Sequence, residues 1–365
     1  MANNKKVLIC PQHWGLGHVT RTIPVIQYFI RKKYEIILAS SGAGSELLKR
    51  EFPQLKLYEI PDYKINYPYK SMVINIALQL LKMHVAVVKE HFAIKKICKL
   101  EKIDLIISDA RLGASQRNIP SVIIAHHLHF RLGMKIIEWI SDTWMKMFYI
   151  SFDQLWIPDL AGSNNLSGDL AHGYKSKKRY FIGILSRFKK MDLEIKYDYT
   201  IMLSGPEPPR TILEEILLKQ LDALMPSQCV LIRGILNGTD LKKYSDKYKD
   251  NLVIKDFVIG SELNEIMSAS KCIICRSGYS TLLDLAIIQK PALLIPTPGQ
   301  PEQEYLSEEL ERKKLFHSVK QDEIDLKEDI EIVKSMNGYE QFVEEKTLDE
   351  RLDELVGKME VKSEE

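Results

Sequence analysis

The run Cys275-Arg276-Ser277-Gly278-Tyr279-Ser280-Thr281-Leu282-Leu283-Asp284 places small hydroxyl residues where an apolar run meets a helical pattern, with a carboxylate one to two turns further on. Free backbone N–H groups at a helix start, backed by the positive end of the helix dipole, attract phosphate. An acid along the same helix can accept hydrogens from ribose hydroxyls. The chemistry suited to Ser277, Gly278, Ser280, Thr281 and Asp284 is thus the holding of a nucleoside diphosphate. An ordinary capped helix is the plainer alternative, since Ser and Thr are favoured N-caps.

Three further loops carry comparable side chains. Val7–Cys10 runs into Pro11-Gln12-His13-Trp14-Gly15-Leu16-Gly17-His18 and then an amphipathic stretch, so Gly15 and Gly17 open a helix beside a titratable imidazole. The glycines suggest a dinucleotide fingerprint, but Thr20 stands where a third small residue belongs. The second strand also ends in Ser40-Ser41 with no acid for a ribose, so NAD is not expected. Tyr199–Leu203 ends in Ser204-Gly205-Pro206, where Gly205 lets backbone approach a ligand. Ala292–Ile295 leads to Pro296-Thr297-Pro298-Gly299-Gln300-Pro301-Glu302-Gln303-Glu304-Tyr305, whose amide, carboxylate and phenol groups suit a polyhydroxyl ligand. A solvated, acid-rich first turn is the alternative there.

These loops must be positioned by an alternating architecture. Val7–Cys10, Glu35–Ala39, Leu55–Ile60, Asp104–Ser108, Ser121–Ala125 and Gln154–Ile157 read as buried strands separated by helical stretches. Tyr199–Leu203, Cys229–Arg233, Leu252–Phe257, Cys272–Cys275 and Ala292–Ile295 form a second series. Such alternation predicts parallel sheets covered by helices. The expected fold is α/β, two Rossmann-like doubly wound domains, residues 1–190 and 191–365, facing across a cleft at the carboxyl ends of their strands. Lys358–Glu365 reads as too charged to be ordered.

Composition narrows the function classes. At 365 residues the chain exceeds what one core usually supports. A formal charge of +2 with acidic and basic residues well mixed provides no basic track, so nucleic acid is not an expected partner. The start is too short in apolar residues for a signal peptide, which points to a cytoplasmic protein. Five scattered cysteines read as reduced structural thiols, and the Cys272/Cys275 spacing lies in a buried strand without a second ligand pair. No metal site and no cofactor are expected; His126, His127 and His129 alternate faces at a strand end.

In order and spacing these loops resemble the family 28 glycosyltransferases of GT-B fold. The similarity spans most of the chain and is most specific from Cys275 to Tyr305; Gly15-Leu16-Gly17-His18 resembles that family's first glycine loop. The resemblance implies a UDP-sugar donor, such as UDP-GlcNAc or a UDP-hexose. Asp284, a shortened replacement for the more usual Glu, would bind the ribose, and Gln303 and Glu304 would face the sugar. Ser204, Gly205 and Arg187 would lie by the diphosphate, and Phe257 and Val258 would offer backbone to the base. The departures Gln303-Glu304 for two glutamines and Trp14-Gly15 in the first loop mark a divergent branch.

The expected reaction is metal-independent inverting transfer to an acceptor hydroxyl, with His18 as general base and Asp109 and His127 in reserve. Ser108–Gly113 and Ala125–His129 are expected to read the acceptor. A lipid-linked acceptor at the inner face of the membrane, as in cell-envelope synthesis, fits the amphipathic segments Met72–Val88 and Arg131–Ile150. Core packing of both helices is the plainer alternative. Competing functions are a hydrolysing nucleotide-sugar epimerase using Glu207, Glu302 and Glu304, and a non-catalytic nucleotide-sugar or lipid-binding module.

Overall fold

The computed structural model describes residues 5–13, 16–63, 72–129, 131, 134–235, 241–336, 338–339 and 346–364, and side chains throughout these except 72–81 and 360–364. Gly15, and the side chains of residues 72–81 on the first amphipathic segment, lie outside the described residues. The chain divides into two units. Unit 1 comprises 1–165, 169–185 and 346–365, and unit 2 comprises 166–168 and 186–345.

Unit 1 contains β1 (Lys6–Pro11), α1 (Gly17–Arg31), β2 (Glu35–Ser40), α2 (Gly42–Glu51), β3 (Lys56–Glu59), α3 (Met72–Glu101), β4 (Leu105–Asp109) and β5 (Ser121–Ile124). It continues with α4 (Lys135–Tyr149), β6 (Gln154–Ile157), α5 (Asp169–His172) and β7 (Arg179–Phe181). The strands form a sheet in the order β3-β2-β1-β4-β5-β6-β7, every pairing parallel. Val7, Leu8, Ile9 and Cys10 are all fully buried, as a central strand covered on both faces requires. The order reverses between β1 and β4, whose register pairs Pro11 with Asp109. Loops at the carboxyl ends of these two strands therefore open a crevice of the kind that binds ligands in doubly wound sheets.

Unit 2 repeats the plan with β8 (Tyr197–Met202), α6 (Pro209–Lys219), β9 (Cys229–Ile232), α7 (Lys242–Lys247), β10 (Leu252–Lys255), α8 (Gly260–Ser268), β11 (Ser270–Cys275) and α9 (Tyr279–Ile288). Then come β12 (Ala292–Leu294), α10 (Pro301–Arg312), β13 (His317–Ser318) and α11 (Leu326–Val333). The parallel order β10-β9-β8-β11-β12-β13 reverses between β8 and β11. Ser204-Gly205 and Ser277-Gly278 follow those two strands, so the topology brings the two loops to one crevice.

The division differs from the expected 1–190 and 191–365 at both ends. The break falls at Leu185/Ser186, and the chain returns to unit 1 through α12 (Leu348–Glu364). The expected disorder of Lys358–Glu365 is corrected as well, since α12 runs on to Glu364. Leu352, Leu355, Val356 and Met359 recur at helical spacing and are buried, which holds the helix down as far as Met359. Its polar face is tied to α1, where Tyr28 Oη donates to Asp353 Oδ1 at 2.8 Å and Arg31 Nε to Asp349 Oδ2 at 3.0 Å.

Candidate functional site

At the reversal point of unit 1, β4 ends on Asp109 and α1 begins with Gly17-His18. The two residues meet: His18 Nδ1 lies 2.8 Å from Asp109 Oδ1. Arg21, one turn along α1, donates from Nε to Asp109 Oδ2 at 2.7 Å and from Nη2 to Oδ1, while Thr22 Oγ1 lies 3.0 Å from Oδ2 and 2.7 Å from the His18 carbonyl, its single proton serving both acceptors. Asp109 is fully buried. Burial opposes its charge, but Arg21 and then His18 outweigh that and hold the carboxyl well below the usual carboxylate range. His18 Nδ1 faces both the Asp109 carboxylate, which only accepts, and Arg21 Nη2, which only donates, at 2.9 Å; the tautomer with its proton on Nδ1 satisfies the carboxylate and leaves the lone pair on Nε2. Nε2 makes no hydrogen bond to any described residue, and His18 keeps 19% of its side chain exposed. Ala110, next in the chain, holds a left-handed φ of 59°, a strained conformation for a residue with a Cβ.

Asp109 as a reserve base is therefore corrected, because both its oxygens are occupied inside the protein. His127 is partly exposed, its ring 6.3 Å from that of His126, which faces Arg21 Nη1 at 2.9 Å. His129 pairs instead with Asp142, so the three histidines serve different partners. The expectation that Ser108–Gly113 reads an acceptor is also corrected, since Ser108, Arg111 and Leu112 are buried. Arg111 donates to Glu90 Oε1 at 2.7 Å, to the Pro11 carbonyl at 3.0 Å and to Ser41 Oγ at 2.7 Å, locking α3 onto the sheet.

In unit 2, Gly278 is the N-cap of α9, whose start has no side-chain cap and no acid in its first turn. The dipole's positive end is left uncompensated there. Ser277 Oγ donates to the Gln303 carbonyl at 2.9 Å, joining α9 to α10. Gln303 holds its own loop, Oε1 accepting the Thr297 N–H at 2.9 Å and Nε2 donating to Gln300 Oε1 at 2.6 Å, and Glu304 Oε1 accepts the Gly299 N–H at 2.9 Å. Gly205, at a φ of 102° that disfavours a Cβ, lies against Thr297, whose buried Oγ1 makes no hydrogen bond to a described residue. Asp284 Oδ1 receives the Ser186 hydroxyl at 2.5 Å, and Arg187 adds its charge to the same carboxyl.

Residues 210–359 match the glycosyltransferase family 28 C-terminal domain. The chain is 27% identical over 313 residues, 83% of its length and 81% of the relative's, to the UDP-N-acetylglucosamine–N-acetylmuramyl-(pentapeptide) pyrophosphoryl-undecaprenol N-acetylglucosamine transferase of Haemophilus ducreyi. It is 21% identical over 337 residues, 85% of its length and 88% of the relative's, to an uncharacterized glycosyltransferase of Methanopyrus kandleri. Among solved structures, MurG of Acinetobacter baumannii superposes with a TM-score of 0.62 at 12% identity, covering 97% of this chain and 99% of that one. The calicheamicin glycosyltransferase CalG4 gives 0.64 at 12%, covering 99% and 95%. The chain is a glycosyltransferase of GT-B fold whose residues 210–359 form a family 28 C-terminal domain.

Within this glycosyltransferase the remaining expected residues sit after strands of unit 2. Ser204 follows β8, Phe257 and Val258 follow β10 at the sheet's edge, and Ser280 and Thr281 are partly exposed in the first turn of α9. Glu207, proposed for an epimerase, is taken by Arg210 Nε at 2.6 Å and the Thr211 N–H at 3.2 Å. Two residues beside the expected set were missed. Arg21 lies one turn beyond His18, so its i+3 spacing was the available signal. Arg276 is buried without a carboxylate partner among the described residues; its guanidinium donates to the carbonyls of Ile295, Pro296 and Pro209 and to Gln321 Oε1. Burial pulls it down to about 10, so its positive charge persists at neutral pH directly behind Ser277.

Proposed function

We propose that this glycosyltransferase moves a sugar from a uridine diphosphate donor to an acceptor hydroxyl with inversion at the anomeric carbon. His18 Nε2 takes the acceptor proton as the hydroxyl oxygen attacks. The anomeric C–O bond to phosphate breaks, and its electron pair leaves with the diphosphate. Asp109 fixes the imidazole tautomer and stabilises the imidazolium that forms. The α9 start, Arg187 and Arg276 supply positive potential for the leaving group. The observation that carries this reading is the 2.8 Å contact of His18 Nδ1 with a buried, ionised Asp109 at the reversal point of the first sheet. The donor reading draws on the Haemophilus ducreyi relative, whose name specifies UDP-N-acetylglucosamine.

The same name specifies an undecaprenol-linked acceptor, and one face of unit 1 supports a lipid acceptor here. No helix among the described residues is long and apolar enough to cross a membrane. Yet α4 exposes Ile136 (74%), Trp139 (69%), Ile140 (44%) and Met147 (59%), with Lys135 and Lys146 also exposed, instead of packing wholly into a core. On α3, Val85, Val88 and Phe92 are exposed among Lys82, Lys89, Lys95, Lys96 and Lys99, with no exposed acid between 82 and 100. Apolar side chains ringed by lysines suit an anionic leaflet, a peripheral position at the inner membrane face.

Replacing His18 by Ala tests the catalytic reading. Turnover with UDP-sugar and acceptor is expected to fall about 10²- to 10⁴-fold while UDP affinity holds. Near-normal turnover would refute the assignment.

A further inference from the structure

Ser186 begins unit 2 where the chain leaves β7, and its hydroxyl is fully engaged. The oxygen accepts the Phe188 N–H at 3.0 Å and lies 2.5 Å from Asp284 Oδ1. An ionised carboxylate can only accept, so the single hydroxyl proton is directed to Asp284. The other carboxylate oxygen, Oδ2, makes no hydrogen bond to a described residue, and Asp284 keeps part of its surface open on the flank of α9.

We infer that Ser186 is a positioning residue for the donor: it grips Asp284 by one oxygen so that the other is presented to the vicinal hydroxyls of a ribose. The inference rests on the donor reading above and deepens it. A side chain as short as Asp reaches less far from the helix than Glu would. Its aim therefore depends on an external hold, and Ser186 provides one from a separate segment whose own backbone fixes the hydroxyl. The same bond favours the ionised carboxylate, the form that accepts from ribose. The charged and titratable groups acting on Asp284 are Arg187 from the connecting segment and Cys275 at the end of β11. Burial holds the Cys275 thiol above its ordinary range, so it stays neutral.

Burial pushes Asp284 up to about 6, with the Ser186 hydrogen bond and the Arg187 charge pulling the other way. Removing the hydroxyl removes a lowering influence, so the proton is held to higher pH and competes with ribose nearer neutrality.

The test is calorimetric UDP affinity of the full-length protein from pH 5 to 8, for wild type, Ser186→Ala, Ser186→Thr and Asp284→Asn. Wild-type affinity is expected to fall as pH drops through about 6, approaching tenfold per pH unit. Ser186→Ala is expected to weaken UDP several-fold at pH 7 and to move the fall-off to higher pH. Ser186→Thr should restore the wild-type profile, and Asp284→Asn should bind weakly with a flat profile. In turnover assays Ser186→Ala should raise the donor KM and leave kcat. UDP binding with coincident wild-type and Ser186→Ala profiles would overturn the inference alone. Absence of UDP binding to the wild-type protein would overturn the donor reading and the inference together.

Discussion

His18 and Asp109 divide one task between an exposed atom and a buried one. Asp109→Asn is expected to keep the side chain's shape but present an amide where a carboxylate stabilises the imidazolium, lowering kcat about 10²-fold or more at unchanged UDP affinity. It also strips the buried Arg21 of its counter-charge, which costs about 3–5 kcal/mol in comparable pairs. Thermal unfolding read beside single-turnover rates separates the two effects, and an enzyme with normal kcat would remove Asp109 from the mechanism. The pH sign follows from the depressed carboxyl. Its stabilisation is fully present above the ordinary carboxylate value of about 4 and is lost as pH falls toward the native value. Residue types pointed to both His18 and Asp109, but the role of Asp109 was not legible. A carboxylate acts as base or as orienter according to whether its oxygens reach solvent, and that depends on Arg21 and Thr22 meeting it from another element.

Elements were more legible than contacts. Continuous apolar runs such as Val7–Cys10 predicted central parallel strands, and the structure gives them in both sheets. Periodicity also marked α4 as amphipathic, yet it reports faces and not what covers them, so core packing was the plainer expectation for a face that is open. If that face meets an anionic leaflet, each lysine near the surface contributes roughly 1 kcal/mol. Lys135→Gln with Lys146→Gln is therefore expected to weaken flotation with anionic vesicles about tenfold or more, and Ile136→Asp with Trp139→Asp to abolish it. UDP affinity should not change in either variant, because the substitutions lie on α4 of unit 1. Equal flotation of wild type and both variants, or none by the wild type, would remove the membrane proposal. Short elements such as β7 and β13 escaped notice because two or three residues carry too little pattern to rise above a loop.

At the scale of the whole molecule the chain does not finish in the unit where it would be expected to end. Sequence position assigned the last residues to the second domain, and nothing in their composition distinguishes a helix that returns from one that stays. The decisive contacts are pairwise and distant. Gln154 Nε2, at the start of β6, donates to the Leu355 carbonyl at 3.0 Å, and α1 with its C-cap residue Lys32 supplies Tyr28, Arg31 and Lys32 to Asp349 and Asp353. The ion pairs are exposed and contribute little each, so the anchoring energy is chiefly the burial of Leu352, Leu355, Val356 and Met359. At about 1.5–3 kcal/mol per buried side chain, an upper estimate, the sum is comparable to the whole stability of an ordinary domain. Deleting residues 346–365 is therefore expected to unfold or loosen unit 1 while leaving unit 2 protected. Amide hydrogen exchange should show lost protection in α1 and β6 with β8 and β11 unchanged, and UDP affinity should persist if the donor site lies in unit 2 as proposed. Protection lost equally in both units would mean that α12 stabilises the molecule as one cooperative body instead of strapping the unit in which the chain began.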